Sequence, residues 1–515
     1  MPRSVARSSL VRSLLLPWFL IAALSSLWAL ATPIGGSPDE PAHVVKAASV
    51  VRGQLLPTEM IAAGGVLEVP AAFDHEYSQG CFAFFADVPA SCAPPLQGDP
   101  AALVESHSSA SLYNPVYYAL VGWPSLIAPD VVGIYAMRIV SAVLCSFFVA
   151  SAFWLIASWQ TRRLPSLGVL IGLTPIVVYL MGTVNPNALE FSGGLALFVA
   201  MVSITSDPGA KRFGPALAIA VVAAALVSNA RGISPLWVAL LLVLPLLLLT
   251  GRQVVALFRR PSVLVGAGVI VASALYSAWW TLSSNSLGTG PSTGPEVVPD
   301  VPGVGLSPLP AFIGEFGNFY LRMRQMVGVL GWLDTPLNPL AYYLCYLLFG
   351  LLVLGVVVFV RGRALVFVGA TAVVFLVAPP AVQSVYVARG GFIWQGRYSL
   401  ILLLALLVCM AFGIARSERF QAWIGSHRRL AAIAPWVVAL IWAFVTIWAF
   451  LTTLRRMTVG YSTGWAQMLG PDAWAPPSGV VLTTILFALF ALALAALTAT
   501  TPRDHECAKA TAPAR

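Results

Sequence analysis

Uninterrupted apolar stretches of about the length needed to cross a bilayer recur from one end of the sequence to the other, 14–32, 235–250 and 482–497 among them. One soluble core cannot hide so many of them, so lipid must face them. In lipid every backbone N–H and C=O has to be satisfied within the segment or a closed barrel, and segments of this length and composition select the helix. Only 10% of the 515 residues are charged and 59% are hydrophobic, where soluble globular proteins carry roughly a quarter charged residues. The sequence therefore predicts an all-α membrane protein, a polytopic bundle of about twelve transmembrane helices whose extracytoplasmic loops carry short helices. The expected spans are 14–32, 134–158, 165–182, 188–205, 213–229, 234–250, 262–281, 340–360, 364–382, 398–415, 431–452 and 479–499.

Charge orients these spans. A net charge of +9 on a nucleic-acid-binding protein would gather on one face or tail. Here the basic residues form short clusters at every second inter-span segment: Arg3/Arg7/Arg12, Arg162/Arg163, Lys211/Arg212, Arg252/Arg259/Arg260, Arg361/Arg363, Arg416/Arg419/Arg428/Arg429 and Arg503/Lys509/Arg515. The positive-inside bias makes those segments cytoplasmic and excludes nucleic acid as a partner. The expectation is a bacterial inner-membrane protein, multi-pass, with both termini in the cytoplasm. Its basic N-terminus is 1–13, its single membrane domain 14–499 and its tail 500–515.

Ala29-Leu30-Ala31 imitates a signal-peptidase site, but the apolar stretch before it exceeds the usual h-region of roughly 7–15 residues, so the first helix is expected to be retained. Three stretches remain outside, 33–133, 283–339 and 453–478, and 112–128 within the first is too short and Pro-interrupted to cross, reading instead as an interfacial helix. Cys81 and Cys92 share the first outer loop, where an oxidising compartment favours a disulfide. Cys145, Cys345, Cys409 and Cys507 read as structural or incidental.

Directly after the first span comes Gly35-Gly36-Ser37-Pro38-Asp39-Glu40-Pro41-Ala42-His43, two adjacent carboxylates at the membrane surface. One reading is a capping box, with Ser37 as N-cap, Pro38 first in the helix and Glu40 three residues after the cap. A helix starting there also places Asp39, His43 and Lys46 on one face. Such a face suits a chemical reading, with Asp39 deprotonating an acceptor hydroxyl, His43 tuning it or binding phosphate, and Lys46 or nearby arginines holding an anionic leaving group. Further basic residues lie outside against the bias: Arg231, Arg389, Arg397, Arg455 and Arg456. For Arg397 and Arg231, at the outer ends of helices, the reading is phosphate binding beside Gln395 and Tyr398; snorkelling is the competing account, preferred for Arg455 and Arg456. Asp334 and Arg322/Arg324 read as loop salt bridges or solvated charge. His75 and His107 could join Asp39 and His43 around a divalent cation, although their spacing matches no metal signature. The metal and the oligomeric state stay open.

With its P-D-E-x-x-H after the first helix, Tyr113-Asn114-Pro115-Val116-Tyr117-Tyr118, Thr174-Pro175, Gly331-Trp332-Leu333-Asp334-Thr335 and Gln395-Gly396-Arg397-Tyr398 in this order, the chain resembles domain-of-unknown-function family 2142 of bacterial membrane proteins. It departs from that family's pattern at Asn187, where an Asp is expected, and at Arg231, where Lys is commoner. The family is itself distantly similar to the type C glycosyltransferases. That resemblance implies a lipid-facing enzyme taking a sugar from a polyprenyl-phosphate donor to an envelope glycan or other acceptor on the outer face, with Asp39 as base or acceptor-orienting acid and Glu40 and His43 as its close catalytic partners. Two other functions compete: a transporter or flippase for a lipid-linked envelope precursor, and a non-catalytic envelope-assembly protein. P-loop, dinucleotide, Ser-x-x-Lys and HExxH motifs do not occur in the sequence.

Overall fold

The computed structural model describes residues 10–61, 63–74, 80–95, 98–206, 212–287 and 302–502. Arg3, Arg7, Lys211, Arg503, Lys509 and Arg515 of the topology reading, His75 of the metal reading and Cys507 lie outside the described residues. Nine described helices are long and apolar enough to cross a membrane, and a tenth span results if the pair Arg163–Gly172 and Pro175–Met181 counts as one. The protein is thus a multi-pass helical membrane protein. Phe213–Ser228 and Ser234–Leu248 are shorter apolar helices in two further expected spans, so the expected count of about twelve rests on these two crossing as well.

Two helices form the centre. Leu400–Ala415 is buried along its whole length and Pro186–Ser206 along almost all of it, packed against each other and against Arg163–Gly172 and Val131–Ile156 respectively. Pro261–Ser283 lies at the periphery with most of its surface outward, apolar as a lipid-facing helix must be. The bend of 71° between Gly172 and Pro175 has a local cause: Pro175 lacks an N–H and cannot continue the helix. The carbonyl freed at Leu173 accepts a bond from Trp442 Nε1 at 2.7 Å, and the Thr174 hydroxyl donates to Met326 O at 2.7 Å. Both partners come from distant helices, so the break is a built joint.

The loop 33–133 is more structured than the sequence suggests. Besides the helices Glu40–Val51, Pro115–Gly122 and Pro124–Ile127 it holds a three-stranded antiparallel sheet of Met60–Ile61, Gly64–Pro70 and Leu103–Ser108, with Val66 opposite His107 and Glu68 opposite Glu105. Cys81 and Cys92 are joined, their Cα atoms 6.2 Å apart. Arg456 gathers this segment by donating to the carbonyls of Phe82, Phe85 and Val88, and pairs with Asp334 at 2.6 Å. Its side chain has no exposure, which corrects the snorkelling account: Arg456 is a buried clamp between two loops. Arg322 bonds Glu315 at 2.7 and 2.8 Å, a loop salt bridge as read.

Candidate functional site

The acidic motif is held from four sides. Arg138, inside the helix Val131–Ile156 and fully buried, donates to the carbonyls of Ala29, Thr32 and Pro33 and grips both Glu40 oxygens at 2.8 and 2.5 Å. The backbone N–H of Val184 donates to Glu40 as well. Tyr179 donates to Gly36 O, and Trp332 Nε1 to Gly35 O at 2.8 Å. Each bond fixes a carbonyl or carboxylate that would be costly to bury unpaired. Glu40 is therefore consumed by the scaffold, which corrects its reading as a catalytic partner.

The helix start also differs from the capping box. Asp39 is the N-cap, its side chain makes no capping bond, and the helix runs Glu40–Val51. Asp39 has φ +62°, a left-handed conformation uncommon for a residue other than Gly, Asn or Asp. That turn directs its carboxylate away from the helix N–H groups and onto the Arg397 guanidinium. The Asp39 side chain keeps 47% of its exposure while Arg397 keeps 5%, so the pair presents an accessible acid over a buried base.

Arg397 stands there because Gly396 allows a close approach. A Cβ on Gly396 would lie 2.6 Å from Arg322 O and 3.0 Å from Met326 N, so the short 3-10 turn Gly396–Ser399 packs directly on Phe319–Gly328, and Gly396 N–H donates to Gln325 at 2.7 Å. Tyr398 then lies between two cations, with Arg231 4.0 Å and Arg397 5.3 Å from its ring centre, both at cation–π range. Behind Arg231 is Glu190, 3.9 Å away, which accepts from Ser234 at 2.5 Å and from Asn187 at 2.9 Å. Arg397 Nε and Nη1, Arg231 Nη1 and Gln395 Oε1 are buried and have no hydrogen-bond partner. Two guanidinium groups beside one ring, each keeping a donor without a partner, have the chemistry to bind a tetrahedral oxyanion.

His43 sits one turn on from Asp39, its Nδ1 2.8 Å from the Tyr118 hydroxyl and its ring between Tyr113 and Tyr118. Burial pushes its pKa down to about 3, the nearby Asp39 charge only partly opposing this. The ring is neutral at physiological pH, so it can orient a hydrogen bond but cannot supply charge to an anion. Because the native value lies below the unfolded one of about 6.5, His43 contributes a stability that is intact above pH 6.5 and is lost as pH falls towards 3. His43→Asn should flatten the decline in thermal stability between pH 6.5 and 4; an unchanged slope would refute the assignment.

For Asp39, burial pushes the carboxyl up, but the Arg397 guanidinium, by its charge and its hydrogen bond, together with the charge of Arg231 outweighs it and holds the acid below its ordinary value. Lys46 does not reach this group. Its ammonium donates to the carbonyls of Leu55 at 2.6 Å and Ser111 at 2.5 Å, and burial pushes its pKa down to about 7. Its expected role in anion binding is thereby corrected to a tie between the helix and its flanking loops. Among the described residues no group of three or more His, Cys, Asp or Glu gathers as a metal site; His107 lies on the strand Leu103–Ser108.

The structure thus brings Asp39, His43, Arg231, Gln395, Arg397 and Tyr398 into one region and leaves Glu40 and Lys46 to support it. Glu190 and Tyr118 were not selected from sequence. An acid inside an apolar span is a signal for Glu190, whereas Tyr118 is indistinguishable from interfacial aromatics until the fold sets it against His43.

The family described as "Predicted membrane protein (DUF2142)" matches residues 23–408. Comparison with curated proteins gives no match. Among solved structures, ArnT from Cupriavidus metallidurans in the apo state superposes with a TM-score of 0.42 at 11% identity, over 94% of this chain and 76% of that one.

Proposed function

This chain belongs to the DUF2142 family of predicted membrane proteins, and from that premise we propose that it is a glycosyltransferase of the extracytoplasmic face that moves a sugar from a polyprenyl-phosphate donor to an envelope glycan. The observation that carries the proposal is an accessible carboxylate, Asp39, paired with the buried Arg397 and close to the partly exposed Arg231, where Arg397 Nε and Nη1 and Arg231 Nη1 have no hydrogen-bond partner. The family's distant resemblance to the type C glycosyltransferases supplies the sugar chemistry.

The donor phosphate binds across Arg397 and Arg231, with the prenyl chain in lipid. Its negative charge draws Arg397 away from Asp39 and opposes ionisation of the carboxyl, so donor binding raises the basicity of an acid that is weak as a base in the free protein. Asp39 then accepts the proton of the acceptor hydroxyl. The acceptor oxygen forms a bond to the anomeric carbon, the bond from that carbon to the phosphate oxygen breaks, and the electron pair leaves on the phosphate, stabilised by the two arginines. Tyr398 fixes the spacing of the two cations, and His43 holds Tyr118 and Tyr113 around the acid.

A test of donor binding uses purified full-length protein and a polyprenyl phosphate. Arg397→Gln and Arg231→Gln should each weaken binding by roughly 10–100-fold, the worth of a charge-assisted hydrogen bond of about 1.5–3 kcal/mol. Unaltered affinity in both variants would remove the phosphate from this site. A carrier that translocates a lipid-linked precursor would use the same arginines but would not need the Asp39 proton acceptor.

A further inference from the structure

At the end of the bundle opposite Asp39 lies a cavity of about 340 Å³ lined by Trp159, Ser203, Arg212, Phe213, Phe412 and Arg416 among others. Pro186–Ser206 and Leu400–Ala415 both run from the candidate site at their first residues to this cavity at their last, so the two regions are separated by the length of a span, roughly 30 Å. The cavity plays no part in the chemistry proposed above.

Its lining is polar and basic. Ser158, Gln160, Thr161 and Ser206 add hydrogen-bonding groups to it, and no carboxylate is among its described lining residues. Arg212 is anchored, donating to Trp154 O and lying 4.5 Å from the Trp154 ring centre. Arg416 is exposed and lies over Phe412. Arg260 covers Phe213 at 4.5 Å. The helix Phe213–Ser228 also begins here, with its first N–H groups beside Arg212, which favours an anion. Burial and then the like charge of Arg162 hold the Arg212 pKa below its ordinary value.

We propose that this cavity binds the phosphate group of an anionic phospholipid headgroup in the leaflet opposite the candidate active site. Arg212, fixed by its ring and carbonyl contacts, supplies a preorganised fork; Arg416 closes the site from the rim; the hydroxyls of Ser158 and Thr161 suit glycerol oxygens. Basic pockets between membrane helices select anionic headgroups on this physical ground. Soluble phosphate shares the recognition chemistry, and the test separates the two sources.

Full-length protein in a zwitterionic detergent is titrated with phosphatidylglycerol, with phosphatidylcholine and with inorganic phosphate, and the rise in unfolding temperature is recorded. Phosphatidylglycerol should stabilise the wild type and phosphatidylcholine should not. The half-maximal concentration should rise roughly fivefold for each arginine removed, in Arg416→Gln and again in Arg212→Gln/Arg416→Gln. Arg416 is exposed, so its single variant keeps the fold and tests the site even if the double variant is unstable. Stabilisation by inorganic phosphate alone, lost in the same variants, would keep the phosphate site and replace the lipid by a soluble ligand. Equal stabilisation of wild type and Arg416→Gln, or none by either anion, would overturn the proposal.

Discussion

Asp39→Asn is expected to lower sugar transfer by roughly 10²–10⁴-fold, the usual contribution of a positioned proton acceptor, while donor binding stays the same or tightens. Asn is the informative replacement, because Asp39 occupies a left-handed backbone conformation that Asn tolerates and Ala does not favour. The amide can still contact Arg397 but cannot take the acceptor proton. Removing the carboxylate also leaves Arg397 and Arg231 without their nearest accessible negative charge, which favours a bound phosphate. Turnover and donor affinity measured on the same preparation distinguish the roles. A parallel loss of both would assign Asp39 to binding, and unchanged turnover would exclude it from the mechanism.

The second large effect is on the scaffold. Arg138→Met should cost about 3–5 kcal/mol, the penalty of leaving a buried charge without its partner, against a total stability typically of 5–15 kcal/mol. Arg138 is fully buried, holds both Glu40 oxygens and carries three backbone carbonyls, so its loss frees the whole turn that presents Asp39. The double variant Glu40→Gln/Arg138→Met should recover part of the loss, because it removes the stranded carboxylate. Thermal stability and the yield of monodisperse protein in detergent check both. If the single and double variants were equally stable, the ion pair would not be what anchors the motif.

The placement of these groups was unevenly legible in the sequence. The hydrophobic segments carry their own signature, since a bilayer requires each span to be apolar over its own length. Helix Pro186–Ser206 or Val480–Ala499 needs no tertiary knowledge to be found. Arg397 and Arg231 could be singled out because a cation at the helix end that the charge pattern assigns to the outer face breaks a rule that acts locally. The role of Glu40 could not. Its partner Arg138 is 98 residues away in another helix, and nothing between Glu40 and His43 distinguishes a carboxylate aimed at that guanidinium from one aimed at a substrate.

Lys46 fails for a related reason. The spacing from Asp39 through His43 to Lys46 assumes a regular helix from Asp39 onward, whereas Asp39 is left-handed at the N-cap and Lys46 is claimed by the carbonyls of Leu55 and Ser111. Helical periodicity predicts a shared face only after the helix has begun. Arg456 misled because a basic residue near the end of a span usually reaches for the interface. Here the loop around the Cys81–Cys92 link folds back over it and offers carbonyls nearer than water.

The most direct test is to follow a radiolabelled sugar on its polyprenyl-phosphate carrier in sealed vesicles containing purified protein and an envelope glycan acceptor on the face that Asp39 occupies. Transfer predicts that label leaves the lipid fraction and appears in the glycan, in wild type and not in Asp39→Asn. Label that stays on the polyprenyl carrier but equilibrates between leaflets, equally in both proteins, would contradict the account and identify a translocator.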